Sequence, residues 1–316
     1  MALHLFCFTH ASFTQTTDKI VSQIVSEVYG NSQLETLGHE LLDVIGPRLV
    51  GTPQMQQAHD WALTKYTNWG IAAKNEQWGQ WRGWERGRTH IDMVSPRIQT
   101  LKGTQLAWSP STGRKGITAE LTVLPTVADS AEFNKWLPSV KGKMVMISMK
   151  EPTGRPDYNW KEFATPESYD KMKNNREVQE NEWSKNMQRI GYNRLSLPLA
   201  LEKAGAVGIV SSYWSKGFGA NKIFGANTDK IPIIDLELED YTVLYRLVEH
   251  GNHPKIKILA ESKELGAVPT FNTIAEIKGS EKPDEYVILS AHFDSWDGGT
   301  GATDNGTGTL VMMETM

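Results

Sequence analysis

One imidazole and two carboxylates fall close together near the end of the chain: His292, Asp294 and Asp304, in the stretch YVILSAHFDSWDGGTGATDNGTGTL of residues 286–310. Tyr286 to Ala291 is apolar and β-prone, so it reads as a strand buried on both faces. His292 and Asp294 are two apart at its end and so share one face. Gly298, Gly299 and Gly301 let the chain turn sharply, and Asp304 follows just before an apolar helix that starts near Gly306 to Thr309. Carboxyl ends of strands are where α/β sheets place ligands. Three such groups are costly to bury unpaired, and a divalent cation offsets that cost. Imidazole with carboxylate suits zinc.

A plainer reading makes His292 an ordinary strand-end histidine and the aspartates turn formers. His-x-Asp on a buried strand, then a glycine turn and Asp-Asn, favours a functional reading. Rival motifs fail letter by letter. A calcium helix–loop–helix site starting at Asp294 would need an acid where Trp296 stands. GGTGATD is one residue too long for a calcium β-roll repeat and does not recur. In a dinucleotide fingerprint, Asp304 would replace the third glycine and repel pyrophosphate. No P-loop lysine and no GxSxG nucleophile pattern is found.

The elements that must carry this site follow from periodicity and punctuation. Asp18–Tyr29 and Leu34–Ile45 have helical spacing, and Gly46-Pro47 stops the second. Pro53 opens a helix running to Trp69. Trp78, Trp81 and Trp84, three apart, read as rings packed under a loop or at a domain contact, with a sugar-stacking strip as the alternative. THIDMVSPRIQTL and TAELTVLPTV are strand-like, and KGTQLAWSPSTGRKG reads as a crossing between domains. Beyond it come a buried strand at 141–149, a helix from Pro166, a helix–Gly205–strand unit, and a strand then a helix ended by Gly251. The strand PKIKILAESK follows, then two strands in TFNTIAEIKGSEKPDEYVILSAHFDS. The alternating block at 114–267 reads as an inserted domain. His39, His59, His90, His250 and His253 read as structural or solvent-facing. Arg48 is a secondary candidate for approaching a substrate carboxylate.

Composition bounds the function classes. The 316 residues are 39% hydrophobic and 22% charged with a net charge of −4, as expected of a globular chain with about two domains. That charge argues against nucleic acid as partner. No apolar stretch reaches the ~18 residues of a membrane span. The single cysteine, Cys7, excludes an internal disulfide framework and any Cys-rich zinc site. Residues 1–17 read as a signal peptide or a ragged N-terminus, which makes a secreted or periplasmic location the expectation.

AHFDSW followed by GATDNGTG resembles the metal-binding start of the di-zinc aminopeptidases of clan MH, above all their carboxypeptidase-Q-like branch. IGPRLVGTP and its following helix resemble the N-terminal segment of that family, and the 114–267 block resembles its protease-associated insert. The resemblance implies an α/β fold: a zinc-exopeptidase mixed-sheet domain (phosphorylase/hydrolase-like), incomplete here, with an inserted α+β protease-associated domain. The peptidase parts would be 18–113 and 268–316. It implies two Zn2+ per site, with His292 a ligand of one, Asp304 bridging both and Asp294 orienting the histidine, and a cis Asp304–Asn305 peptide. The expected substrate is a peptide or dipeptide, and a homodimer is compatible with it. The family's Glu-Glu pair, source of its general base, has no counterpart up to Met316, and LVMMETM (310–316) reads as a helix under way. The expectation is therefore a fragment that binds zinc poorly and hydrolyses nothing by itself. A metal-free receptor-type protein and a glutaminyl-cyclase-like single-zinc acyltransferase are the alternatives on the same scaffold.

Overall fold

The computed structural model describes residues 19–219, 223 and 225–316. Cys7 and the N-terminal segment expected to be a signal peptide lie outside the described residues. Among those described, no helix is long and apolar enough to cross a membrane.

Helix α1 (Lys19–Asn31) is followed by α2 (Leu34–Gly38), which runs into a π-helical turn at His39–Ile45 and stops at Gly46. Helix α3 (Pro53–Asn68) begins with proline in its first turn, and its N-cap Thr52 accepts a hydrogen bond from the Met55 amide. Two long strands then dominate. β1 (Ala72–Ser95) pairs antiparallel with β8 (Lys255–Glu276) along nearly its whole length, through four irregularities of register. Between them in sequence lie β2 (Gln99–Thr100), β3 (Gly103–Gln105), β4 (Ile117–Val123), α4 (Ser130–Trp136) and β5 (Met144–Met146). After these come α5 (Asp157–Phe163), α6 (Pro166–Ile190), α7 (Ser196–Lys203), β6 (Gly208–Ser211), β7 (Ile233–Leu236) and α8 (Leu238–Glu249). The chain closes with α9 (Thr307–Thr315).

The strands form one mixed sheet in the order β2-β1-β8-β4-β5-β6-β7-β3, parallel from β4 to β7 and antiparallel elsewhere. β5, β6 and β7 are buried along their whole lengths, as parallel strands covered on both faces must be. One core joins Tyr241 and Leu244 of α8 to Ile256, Ile258 and Met146. The other joins Phe133, Ile190, Leu197 and Leu201 from α4, α6 and α7 to Val145 and Ile209. Ile91, Met93 and Leu101, which precede residue 114, contribute to the first of these cores.

A third cluster is built from Leu37, Leu41, Ile45, Ala58, Ala62, Tyr66, Leu310 and Met313, with Phe293 against it. It packs α2, α3 and α9 together and carries the candidate site. Trp84 is fully buried, and its Nε1 donates to Ser109 O at 3.2 Å. Trp78 and Trp81 stand exposed on β1.

The expected packing of Trp78 and Trp81 and the expected strand before the site are both overturned. Tyr286 to Ala291 forms no strand, and Val287 is 95% and Ile288 82% exposed. A strand draws its backbone hydrogen bonds from a neighbour, and none of the described strands pairs with this segment. The segment instead borders a cavity of about 1180 Å³ whose walls include Met55, His59, Phe271, Ile288 and Met313.

Candidate metal centre

His292, Asp294 and Asp304 converge. The His292 Nδ1 lies 3.2 Å from Asp294 Oδ1 and 3.1 Å from the Asp294 backbone oxygen. Both are acceptors, so a proton on Nδ1 is the tautomer that satisfies them. Nε2 then presents a lone pair, and it lies 2.9 Å from Asp304 Oδ1. Two lone-pair carriers at that distance repel unless something positive stands between them, either a second ring proton or a cation. All three side chains are about half exposed (51%, 49% and 65%), so the pair opens to solvent. The donor set of one imidazole and carboxylate oxygen fits zinc. Among the described residues, however, no group of three or more His, Cys, Asp or Glu side chains is arranged to hold a metal ion. The fit is that of part of a coordination shell.

Local chemistry explains how the chain reaches this geometry. Gly301 adopts φ +65°, and a Cβ there would meet Ser295 Cβ at 2.3 Å and Arg48 Nη2 at 2.8 Å. Only glycine fits such a left-handed, crowded position. The Gly306 amide donates to Gly301 O at 2.8 Å and closes the turn that delivers Asp304. The Asp304–Asn305 peptide is cis. From there α9 descends into the third core through Leu310 and Met313. Glu314, on the same helix, accepts from the Gln33 amide just before α2.

Arg48 does not reach toward a substrate. It is completely buried. Nε donates to Phe293 O at 3.0 Å, Nη1 to Gly46 O at 2.9 Å and Thr300 O at 2.8 Å, and Nη2 to Gly301 O at 3.2 Å. Its backbone amide donates to Ser295 Oγ at 2.8 Å, and its carbonyl accepts from the Ser295 amide at 3.0 Å. Burial pulls its pKa down from the usual arginine value, while the nearby Asp294 charge acts the other way.

A second arginine, Arg86 on β1, forms a charge pair with Asp297, donates to Thr104 Oγ1 at 2.8 Å and Gln105 O at 2.7 Å, and lies over the Trp84 ring. Sequence reasoning missed Ser295, Asp297 and Arg86. The contacts that join Ser295 to Arg48 and Asp297 to Arg86 span 247 and 211 residues of sequence, and no local pattern marks them. His59 is buried, bonded to Thr273 Oγ1 at 2.8 Å between the rings of Phe271 and Phe293.

With this geometry in view, comparisons with known proteins give what the chain resembles. The Peptidase family M28 model matches residues 272–316, the segment that holds the site. The fold is similar to that of the peptidase M28 precursor from Shewanella amazonensis SB2B, with a TM-score of 0.61 at 24% identity over 93% of this chain and 61% of that one. It is also similar to BSAP, a zinc aminopeptidase from Bacillus subtilis, with a TM-score of 0.51 at 19% identity over 89% and 55%. The chain is also similar to carboxypeptidase Q of Rattus norvegicus, 28% identical over 311 residues, or 97% of this chain and 58% of that protein. The chain thus spans less than two thirds of the length of the curated relatives it matches. The family model and the curated relatives support Peptidase family M28, and the solved structures support a mixed α/β fold with a single mixed sheet.

Proposed function

We propose that this chain supplies part of the metal site of a zinc-dependent exopeptidase of the aminopeptidase or dipeptidase type. The observation that carries the reading is the 2.9 Å approach of His292 Nε2 to Asp304 Oδ1, with Asp294 on the opposite ring nitrogen. In this reading His292 and Asp304 would hold zinc, and the Asp304 carboxylate would be available to a second ion. Asp294 keeps the Nδ1 proton in place and so leaves Nε2 free to donate its lone pair; such a partner also raises ligand basicity. The chemistry a zinc pair supplies when bound is Lewis-acid activation of water and of the scissile carbonyl.

The rest belongs to the chain's own residues. The turn at Gly301–Gly306 aims the Asp304 carboxylate at the imidazole, and α9 anchors that turn in the core. The substrate is a peptide or dipeptide, supported by the peptidase family matched at the site. The secreted or periplasmic location, the insert at 114–267 and a homodimeric assembly remain parts of this proposal. With only these donors gathered, the chain by itself holds zinc weakly and does not turn over substrate.

The test is hydrolysis of unblocked di- and tripeptides by a longer polypeptide that carries this chain. Cleavage lost on chelation and in His292→Ala supports the reading. Cleavage unchanged by both sinks it.

A further inference from the structure

The donor pair sits at the two ends of a loop rich in glycine. Gly298, Gly299 and Gly301 lie between His292 and Asp304, and a free glycine-rich link would sample many separations. Yet the structure holds the two side chains 2.9 Å apart. The contacts that remove this freedom come from two arginines outside the loop.

We propose that Arg48 is a positioning residue for the His292–Asp304 pair, with Arg86 anchoring the same loop at its middle. The Arg48 guanidinium bonds the carbonyl of Phe293, next to His292, and the carbonyls of Thr300 and Gly301, just before the turn to Asp304. One rigid planar group therefore ties both ends of the loop to each other. It also ties them to Gly46 O, in the turn that ends the π-helical segment. Ser295 is stitched to the Arg48 backbone in both directions. Arg86 takes the middle: its charge pair with Asp297 fixes the Trp296–Gly299 segment to β1 and β3 through Thr104 and Gln105.

Burying a guanidinium among backbone carbonyls is costly for a merely space-filling role, which an apolar side chain would serve better. What the guanidinium offers and an apolar side chain lacks is a fixed fork of donors that can address several carbonyls at once. Lysine, a point charge on a flexible stem, cannot hold three carbonyls in one plane. The side chain of Arg48 touches neither His292 nor Asp304 through a hydrogen bond, so its effect passes through the loop backbone.

The inference rests on the zinc reading for its purpose, and the experiment keeps the two apart. Hydrogen exchange of the full chain is measured in wild type, Arg48→Lys, Arg48→Met and Ser295→Ala, and Zn2+ alone is titrated into each. The expected result is faster exchange at the Ser295 and Gly306 amides in both Arg48 variants, by about 10-fold or more, with amides of α7, β6 and β7 unchanged. Zn2+ affinity falls about 10- to 100-fold, the range seen when groups that orient ligands are removed. Ser295→Ala, which deletes one hydroxyl, shows the same pattern with smaller amplitude.

Unchanged exchange at residues 293–306 in Arg48→Lys overturns the proposal. So does a loss of protection spread evenly over the chain in that variant and in Ser295→Ala, because that outcome means general stability and not positioning. A wild-type chain that takes up no Zn2+ overturns the zinc reading alone, and the exchange measurement still decides the role of Arg48.

Discussion

Replacing Gly301 with alanine isolates the crowding at the heart of the site. Two penalties are expected. An alanine in the left-handed region costs roughly 1–2 kcal/mol, partly offset by about 0.4–1 kcal/mol because alanine has less freedom to lose from the unfolded chain. The second is steric. The new Cβ would stand 2.3 Å from Ser295 Cβ and 2.8 Å from Arg48 Nη2. Ser295 Cβ is attached directly to the backbone, and Arg48 is held by four carbonyls, so neither can step aside cheaply. Overpacking of this kind costs about 1–3 kcal/mol. Gly142 provides the control: its φ is +76°, and a Cβ there meets nothing within 4 Å. Gly142→Ala should therefore cost about 1 kcal/mol and Gly301→Ala about 2–4 kcal/mol, on the same scales. Urea unfolding followed by tryptophan fluorescence measures both, with midpoints compared at a common slope. If the two variants differ by less than about 0.5 kcal/mol, a typical error in such comparisons, the loop is not packed against Ser295 and Arg48 as described.

Other perturbations have equally definite outcomes. Thr52→Ala removes the N-cap of α3, which accepts from Met55 N and donates to Leu49 O at 2.7 Å, and should cost about 0.5–2 kcal/mol in the same urea assay. Asp297→Ala leaves Arg86 without its charged partner and should cost about 1.5–3 kcal/mol; a variant as stable as wild type would show that the pair does not hold the loop. Burial pushes the His59 imidazole below its usual 6.5, against the opposing Asp60 charge. Its folded pKa lies below the unfolded one, so its contribution is fully present above pH 6.5 and declines as the pH falls below that value. The unfolding midpoint should drop on acidification from pH 6.5, and His59→Gln should remove that part of the slope.

Local signals made much of the chain legible. Pro53, the run beginning at Pro166, and the stops at Gly205 and Gly251 place α3, α6, α7 and α8 because each signal acts within a turn or two. The His-x-Asp spacing and the glycine turn likewise bring His292, Asp294 and Asp304 together, since both are short-range features. Parts of the β1–β8 ribbon are strand-like in sequence, at 89–95, 255–263 and 270–276, but its full length was not legible. Its glycines resemble turn punctuation, but Gly83 and Gly87 are places where the strands approach too closely for a side chain. A Cβ at Gly83 would meet Val268 Cγ1 at 2.6 Å, and one at Gly87 would meet Glu261 Cβ at 2.6 Å. Tyr286–Ala291 failed for the complementary reason. Its residues favour a strand, but pairing is a property of the neighbour, which the segment itself cannot encode. Arg48 stands in the sequence only as a secondary candidate for approaching a substrate carboxylate, whereas the fold buries it completely. Its carbonyl partners at 293, 300 and 301 become visible only when the ends of the chain meet.

The most direct measurement is a Zn2+ titration of the chain followed by NMR of the histidine ring nitrogens, in wild type and in Asp304→Asn. If the pair binds metal, the Nε2 signal of His292 moves saturably on Zn2+ addition, the other described histidines respond less, and the Asp304→Asn variant loses the effect. A His292 signal that ignores Zn2+, or one that responds equally after Asp304 is neutralised, contradicts the site.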